Sequence, residues 1–215
     1  MAAKRNYTEG EMIRTFALKR INNAKNPSMK YWTTVDLPVF TASQSELFEE
    51  KLEEADANIL GWNEEKLKMN FITYILRLGE LKDTDKYVLL YEKSLKHEIN
   101  GIPLSVKTDF MIATGQYDIY EKPFFHFQEY KPEKNPSGDS MGQLLQAMLI
   151  AQAKNNDGKL LYGCEIIGKT WNFVILEGLT YYVSIPYNST ERQGLLDIIA
   201  ILRKFKHILE TELID

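Results

Sequence analysis

Three β-type segments follow one another with no helix between them: residues 87–91, 102–113 and 124–131, rich in Val, Ile, Leu, Phe and Tyr and separated by Asn100-Gly101 and by a polar stretch around Gly115. Strands that follow so closely pair with one another, so this part of the chain is committed to neighbouring strands of one sheet. A loop rich in Pro, Asn, Ser and Gly at 132–138 leads to an amphipathic helix at 141–153. Further strands at 160–167, 171–176 and 181–186 precede a last helix that follows Thr190 and runs toward Leu213. A helix between two strands permits a parallel crossover, so this order predicts an α/β sandwich with a central mixed sheet.

The N-terminal part reads as helical. Residues 1–31 are basic, and Met12, Ile13, Phe16, Ala17 and Ile21 share one helical stripe. After a linker containing Asn26, Pro27 and Pro38, a second helix starts at Ser43 or Ser45 and runs through Leu47, Phe48 and Leu52 toward Ala57. A third is capped by Asn63, carries Glu64 and Glu65 at its positive end, buries Leu67, Phe71, Ile72, Ile75, Leu76 and Leu78, and stops at Gly79. With 215 residues, 44% of them hydrophobic, the chain has material for one sizeable core. We divide it into an N-terminal helical extension, 1–61, packed on a core of 62–215.

Chemistry is concentrated at Asp109 in the second strand and at Glu129-Tyr130-Lys131, which ends the third. Side chains alternate along a strand, so Glu129 and Lys131 share a face, and an adjacent antiparallel strand can bring Asp109 beside them. Two carboxylates then face one cation. Mg²⁺, or Mn²⁺ in its place, suits such a pair, with the Tyr130 backbone carbonyl as a third ligand and Lys131 beside the bound water. An E-x-K triplet alone means little, since the chain holds 26 basic and 30 acidic residues and three more such triplets, at 49–51, 64–66 and 80–82. Those three fall in or just after helical segments, whereas 129–131 ends an aromatic strand that follows a strand with a lone acid.

Each residue also has a structural explanation. Asp109 could pair with Lys107 or Lys131, Glu129 and Lys131 could form a same-face surface ion pair, and Glu64 suits any helix N-terminus. Gln143 could close a Ser140-x-x-Gln143 capping box, leaving Gln146, one turn on, to face the site. His97, His126 and His207 lack the spacing of zinc ligands, and Trp62 and Trp171 read as core rather than as a base-stacking platform.

The set of Asp109, Glu129-x-Lys131 and a following helix that opens with Gln143 resembles the PD-(D/E)xK nuclease superfamily over residues 62–177. Asn63-Glu64-Glu65, Phe71-Ile72 and Leu78-Gly79 resemble the opening of the N-terminal nuclease domain of type I restriction subunits. That resemblance implies a restriction-endonuclease-like αβα sandwich with extra N-terminal helices, a DNA substrate, and Glu64 as an additional acid at the metal. It implies a homodimer only by family habit. Thr108 stands where the motif's Pro would be, Pro132 removes a backbone donor right after Lys131, and no GxxxxGK[ST] loop marks a motor domain.

The formal charge of −4 argues against broad phosphate neutralisation, so any DNA contact is local. It also favours the alternative of a nuclease-shaped module that binds nucleic acid or protein without cleaving. RNA remains open as a substrate. Cys164 is the single cysteine and suits a reduced, buried thiol. The stretch 141–153 is too short and too rich in Gln to span a bilayer, and the N-terminus lacks a signal-peptide pattern, so a cytoplasmic location without membrane contact is expected.

Overall fold

The structure, a computed structural model, describes residues 6–22, 26–117, 119–134 and 136–214. Its elements in chain order are α1 (Glu9–Phe16), β1 (Lys19–Asn22), α2 (Pro27–Thr33), α3 (Ala42–Asn58), α4 (Glu64–Leu67), α5 (Thr73–Leu78), β2 (Tyr87–Ile99), β3 (Ile102–Gln116), β4 (Ile119–Lys131), α6 (Ser140–Asn155), β5 (Leu161–Ile167), β6 (Thr170–Glu177), β7 (Thr180–Val183), β8 (Tyr187–Asn188) and α7 (Arg192–Ile208). The strands form one mixed sheet in the order β1-β7-β6-β5-β4-β3-β2, with β8 added beside β6. β4 and β5 are parallel across the α6 crossover, as are β1 and β7, and the other pairs are antiparallel.

The sheet separates two cores. On one side α6 and α1 bury Leu144, Met148, Met12 and Phe16 against Met111, Phe127 and Val174. On the other, α7, α5, α3 and α2 bury Phe205, Ile75, Phe48 and Trp32 against Phe110, Tyr130 and Phe173. Trp32 is fully buried, and its indole N–H donates to the Ile201 carbonyl at 3.1 Å. Trp62, Trp171 and Cys164 are core residues too. No helix among the described residues is long and apolar enough to cross a membrane.

Several boundaries differ from the sequence expectation. The single basic helix is instead α1 followed by β1: Ala17 adopts a left-handed conformation at the end of α1, and Ile21 lies in an edge strand. The expected linker contains α2, capped by Asn26 with Pro27 at its first turn. α3 begins before Ser43, because Thr41 and Gln44 make the reciprocal capping box. Helix α4 starts at the Asn63 cap as expected, then passes through a π-helical turn, Lys68–Ile72, into α5, which Gly79 ends. β2 runs much further than the expected 87–91, to 13 residues, because its outer half buries only one face, whereas β3 covers the expected 102–113 and continues to Gln116. The strand expected at 181–186 ends at Val183 and resumes as β8.

The start of α6 differs most. Asp139, not Ser140, is its cap: one carboxylate oxygen accepts from Gly142 N at 2.7 Å and the other from Glu9 N at 3.0 Å. Ser140 Oγ instead donates to buried Glu165 at 2.6 Å, so the expected capping box with Gln143 does not form. One carboxylate thus ties two helix N-termini together, which suits its charge to both. The contact is close: a Cβ at Gly142 would lie 2.1 Å from the Tyr7 carbonyl oxygen and 2.6 Å from Thr8 C. Backbone rather than a flexible side chain is in the way. Gly142→Ala should therefore cost about 1–3 kcal/mol, read as a lower urea midpoint at unchanged m-value; an unchanged midpoint would show that residues 7–9 do not press on α6.

Candidate functional site

β3 and β4 pair regularly from Phe110↔Gln128 to Ile112↔His126, and continuing that register would set Asp109 opposite Glu129 and Thr108 opposite Tyr130. The ladder stops short of both. Tyr130 N donates to Asp109 Oδ2 at 2.7 Å, so a side-chain carboxylate occupies the place where a strand partner's carbonyl would be. The two strands splay apart around it. In an extended strand the N–H and C=O of one residue point the same way, so the Tyr130 carbonyl faces the opening beside Asp109. The next residue is held on the other side, its carbonyl accepting from Gly168 N at 2.8 Å in the β5–β6 turn. β4 ends there, which accommodates Pro132 without a lost ladder bond.

Alternation places Glu129 and Lys131 on the face of Phe127, under α6, and Tyr130 on the opposite face. Glu129 has no exposed surface, and neither carboxyl oxygen has a hydrogen-bond partner. Burial, then the adjacent Asp109 carboxylate, pushes its pKa well above the ordinary carboxylate range, against the pull of Lys131. Asp109 is raised as well, by burial first, with the Tyr130 N–H and Lys131 opposing it and Glu64 and Glu92 adding to it. Two neighbouring carboxylates are both acceptors, so they bond to each other only when a proton lies between them. Lys131 is 6% exposed, and its Nζ lies 3.3 Å from Glu64 Oε2 at the start of α4.

Asp109, Lys131 and Glu64, though not the buried Glu129, line a cavity of about 540 Å³ whose walls also include Gln143. Gln143 thus faces the site. Gln146 does not: its side chain is buried, donating to the Ser105 carbonyl at 2.9 Å and accepting from Tyr7 N at 3.2 Å. It fastens α6 to the hairpin and to the N-terminal segment. A larger cavity, about 690 Å³ around Thr114, Tyr117 and Tyr120, lies at the other end of β3.

Glu92 also lines the site and escaped the sequence reading. Register places it opposite Asp109, but its backbone is left-handed, at φ 56°, within a strand. That conformation costs about 1–2 kcal/mol for a residue with a Cβ. Its carboxylate bridges Lys68 at 2.8 Å and Lys107 at 2.5 Å. Burial works against this charge, yet the two ammoniums outweigh it and hold Glu92 below the ordinary range. Nothing in the run of polar residues around position 92 marks this; the signal is the backbone.

The three histidines take no part. His126 is fully buried in the opposite core, where desolvation lowers its pKa to about 3. Among the described residues, no three His, Cys, Asp or Glu side chains are grouped to hold an ion by themselves. A cation here would rest on Asp109 and Glu129 with the Tyr130 carbonyl, and the unpartnered oxygens of Glu129 fit that role. Neither a family model nor a curated protein matches the chain.

The raised carboxyls make the metal-free fold sensitive to pH. A carboxyl whose folded pKa exceeds its unfolded one contributes stability that is complete below the unfolded pKa and lost as pH rises through the folded one. Metal-free protein should thus lose stability from the ordinary carboxylate range upward. Glu129→Gln removes the buried charge and can donate to Asp109, so urea unfolding in chelator should show it more stable than wild type by on the order of 1 kcal/mol near pH 8, with little difference near pH 4. A wild-type stability that rises over this interval would contradict the assignment.

Proposed function

We propose that the chain is a divalent-metal-dependent phosphodiesterase that cleaves DNA, built on a restriction-endonuclease-like core. The observation that carries this reading is the buried, unpartnered carboxyl of Glu129 beside Asp109 where β3 and β4 splay. A buried carboxyl with no donor beside a second acid is costly as pure architecture, and a cation would relieve both the repulsion and the missing bonds. The order of elements around it, three antiparallel strands followed by a helix and a parallel strand, suits that core as well.

In this reading Asp109, Glu129 and the Tyr130 carbonyl hold Mg²⁺ or Mn²⁺. The ion supplies an activated water and neutralises charge on the scissile phosphate. Lys131 aims its ammonium into the same space, where it orients the attacking water and stabilises the extra charge on the phosphorus oxygens. Glu64 keeps that ammonium in place through their contact, and Gln143 supplies an uncharged donor from the opposite wall. Glu64 is a positioning residue for Lys131 in this arrangement and lies close enough to the acids to influence both.

Calorimetric titration of Mn²⁺ should show binding to wild type, release of protons on binding, and loss of binding in Asp109→Ala. Lys131→Ala should keep the metal and lose roughly 10²–10³-fold in cleavage of plasmid and linear DNA. Folded wild type that binds no divalent metal would refute the metal site. Metal binding with no cleavage of DNA or RNA would instead favour a nuclease-shaped binding module.

A further inference from the structure

The outer half of the β2–β3 hairpin extends past the point where β4 leaves the ladder, and its two faces differ. Leu95, Leu104 and Val106 are buried with the α6 side of the core. The other face carries the cross-strand pairs Ser94↔Lys107 and Lys96↔Ser105, and all four residues line the cavity together with Glu92 and Asp109. Two rows of one hydroxyl and one ammonium thus lead away from the acid pair, separated by two residues of strand, roughly 6.8 Å. Lys96 and Lys107 are both exposed, and Lys96 enters no ion pair among the described residues.

We infer that this row is a track for the phosphates of a single nucleic-acid strand, bringing one end of that strand onto the Asp109–Glu129 pair. The inference rests on the proposed phosphodiesterase site and names the form of its substrate. Each row offers an ammonium as a point charge and a hydroxyl as a donor, the groups that hold phosphate oxygens. The row spacing is close to the repeat of an extended polynucleotide. A single strand is favoured over a duplex for two reasons. Asp109 lines the cavity and Glu129 beside it has no exposed surface, so a slender, flexible strand can reach the pair where the wider body of a duplex meets the cavity walls. Two ammoniums on a chain of net charge −4 also suit one phosphate backbone better than two.

Glu92 fits this picture as the counter-ion of the track. It holds Lys107 toward the acid pair while no phosphate is bound, and an incoming phosphate would compete with it for that ammonium.

Binding is best measured in chelator by fluorescence anisotropy with labelled oligothymidylate and with a labelled duplex. This arrangement keeps the outcome independent of the metal. Wild type should bind the single strand more tightly, and Lys96→Ala with Lys107→Ala should weaken it about tenfold at low salt. The slope of log K against log salt should fall by about 1.4, or 0.7 per phosphate contact. Lys82→Ala, exposed and outside the cavity, should leave both unchanged. An unaltered slope in the double variant, or tighter binding of duplex than of single strand, would overturn the track. The metal titration of Asp109→Ala would still decide the site itself.

Discussion

One hydrogen bond organises the centre of this molecule: the Asp109 carboxylate takes the Tyr130 N–H that a neighbouring strand would otherwise claim. A backbone donor in a sheet interior must be satisfied. Here a side chain does so, and the strands part as a result. The splay turns the Tyr130 carbonyl toward an opening, places Glu129 beside Asp109 and gives Lys131 a route to Glu64. A continued ladder would have closed that space.

The surroundings hold this opening in place from several directions. The β5–β6 turn fixes the end of β4 through Gly168. Helix α6 is tied down at its first turn by Asp139 and Ser140 and at its second by Gln146, which also reaches the hairpin. Residues 7–9 press on Gly142 without room for a methyl group. These bonds join elements distant in sequence, so the position of Gln143 depends on the N-terminal segment as much as on its own helix. The β1 strand extends the same integration to the far edge of the sheet.

The electrostatics follow from placing three acids at different depths, Glu92 exposed, Asp109 half-buried and Glu129 buried. Glu129 is buried with no donor, Asp109 has one backbone donor, and Glu92 has two ammoniums. Their pKa shifts order accordingly: Glu129 raised most, Asp109 raised, Glu92 lowered. Three carboxylates along one cleft are thereby set to different tasks by environment alone. The two whose pKa is raised are those a cation would relieve in the proposed reading, and the one already paired restrains Lys68 and Lys107.

Much of this was legible in the residues themselves. Apolar runs and turn residues locate the strands of the meander and the helix after it, and side-chain alternation puts Glu129 and Lys131 on one face before any fold is known. The Asn63 cap and the Gly79 stop were equally readable, being local chemistry. Helix starts at 42 and 140 were misplaced because several polar residues compete for one cap, and the geometry of approach chooses Thr41 and Asp139. The outer half of β2 was missed because a strand with one buried face and a charged one has a weak apolar signal. Sequence determined which residues carry charge and that Glu129 and Lys131 share a face, since both follow from residue type and strand period. Only the tertiary structure decided that Asp109 replaces a ladder bond, that Gln143 rather than Gln146 meets the cleft, and that Glu92 joins it. Those outcomes depend on long-range packing and on a backbone angle that no local pattern encodes.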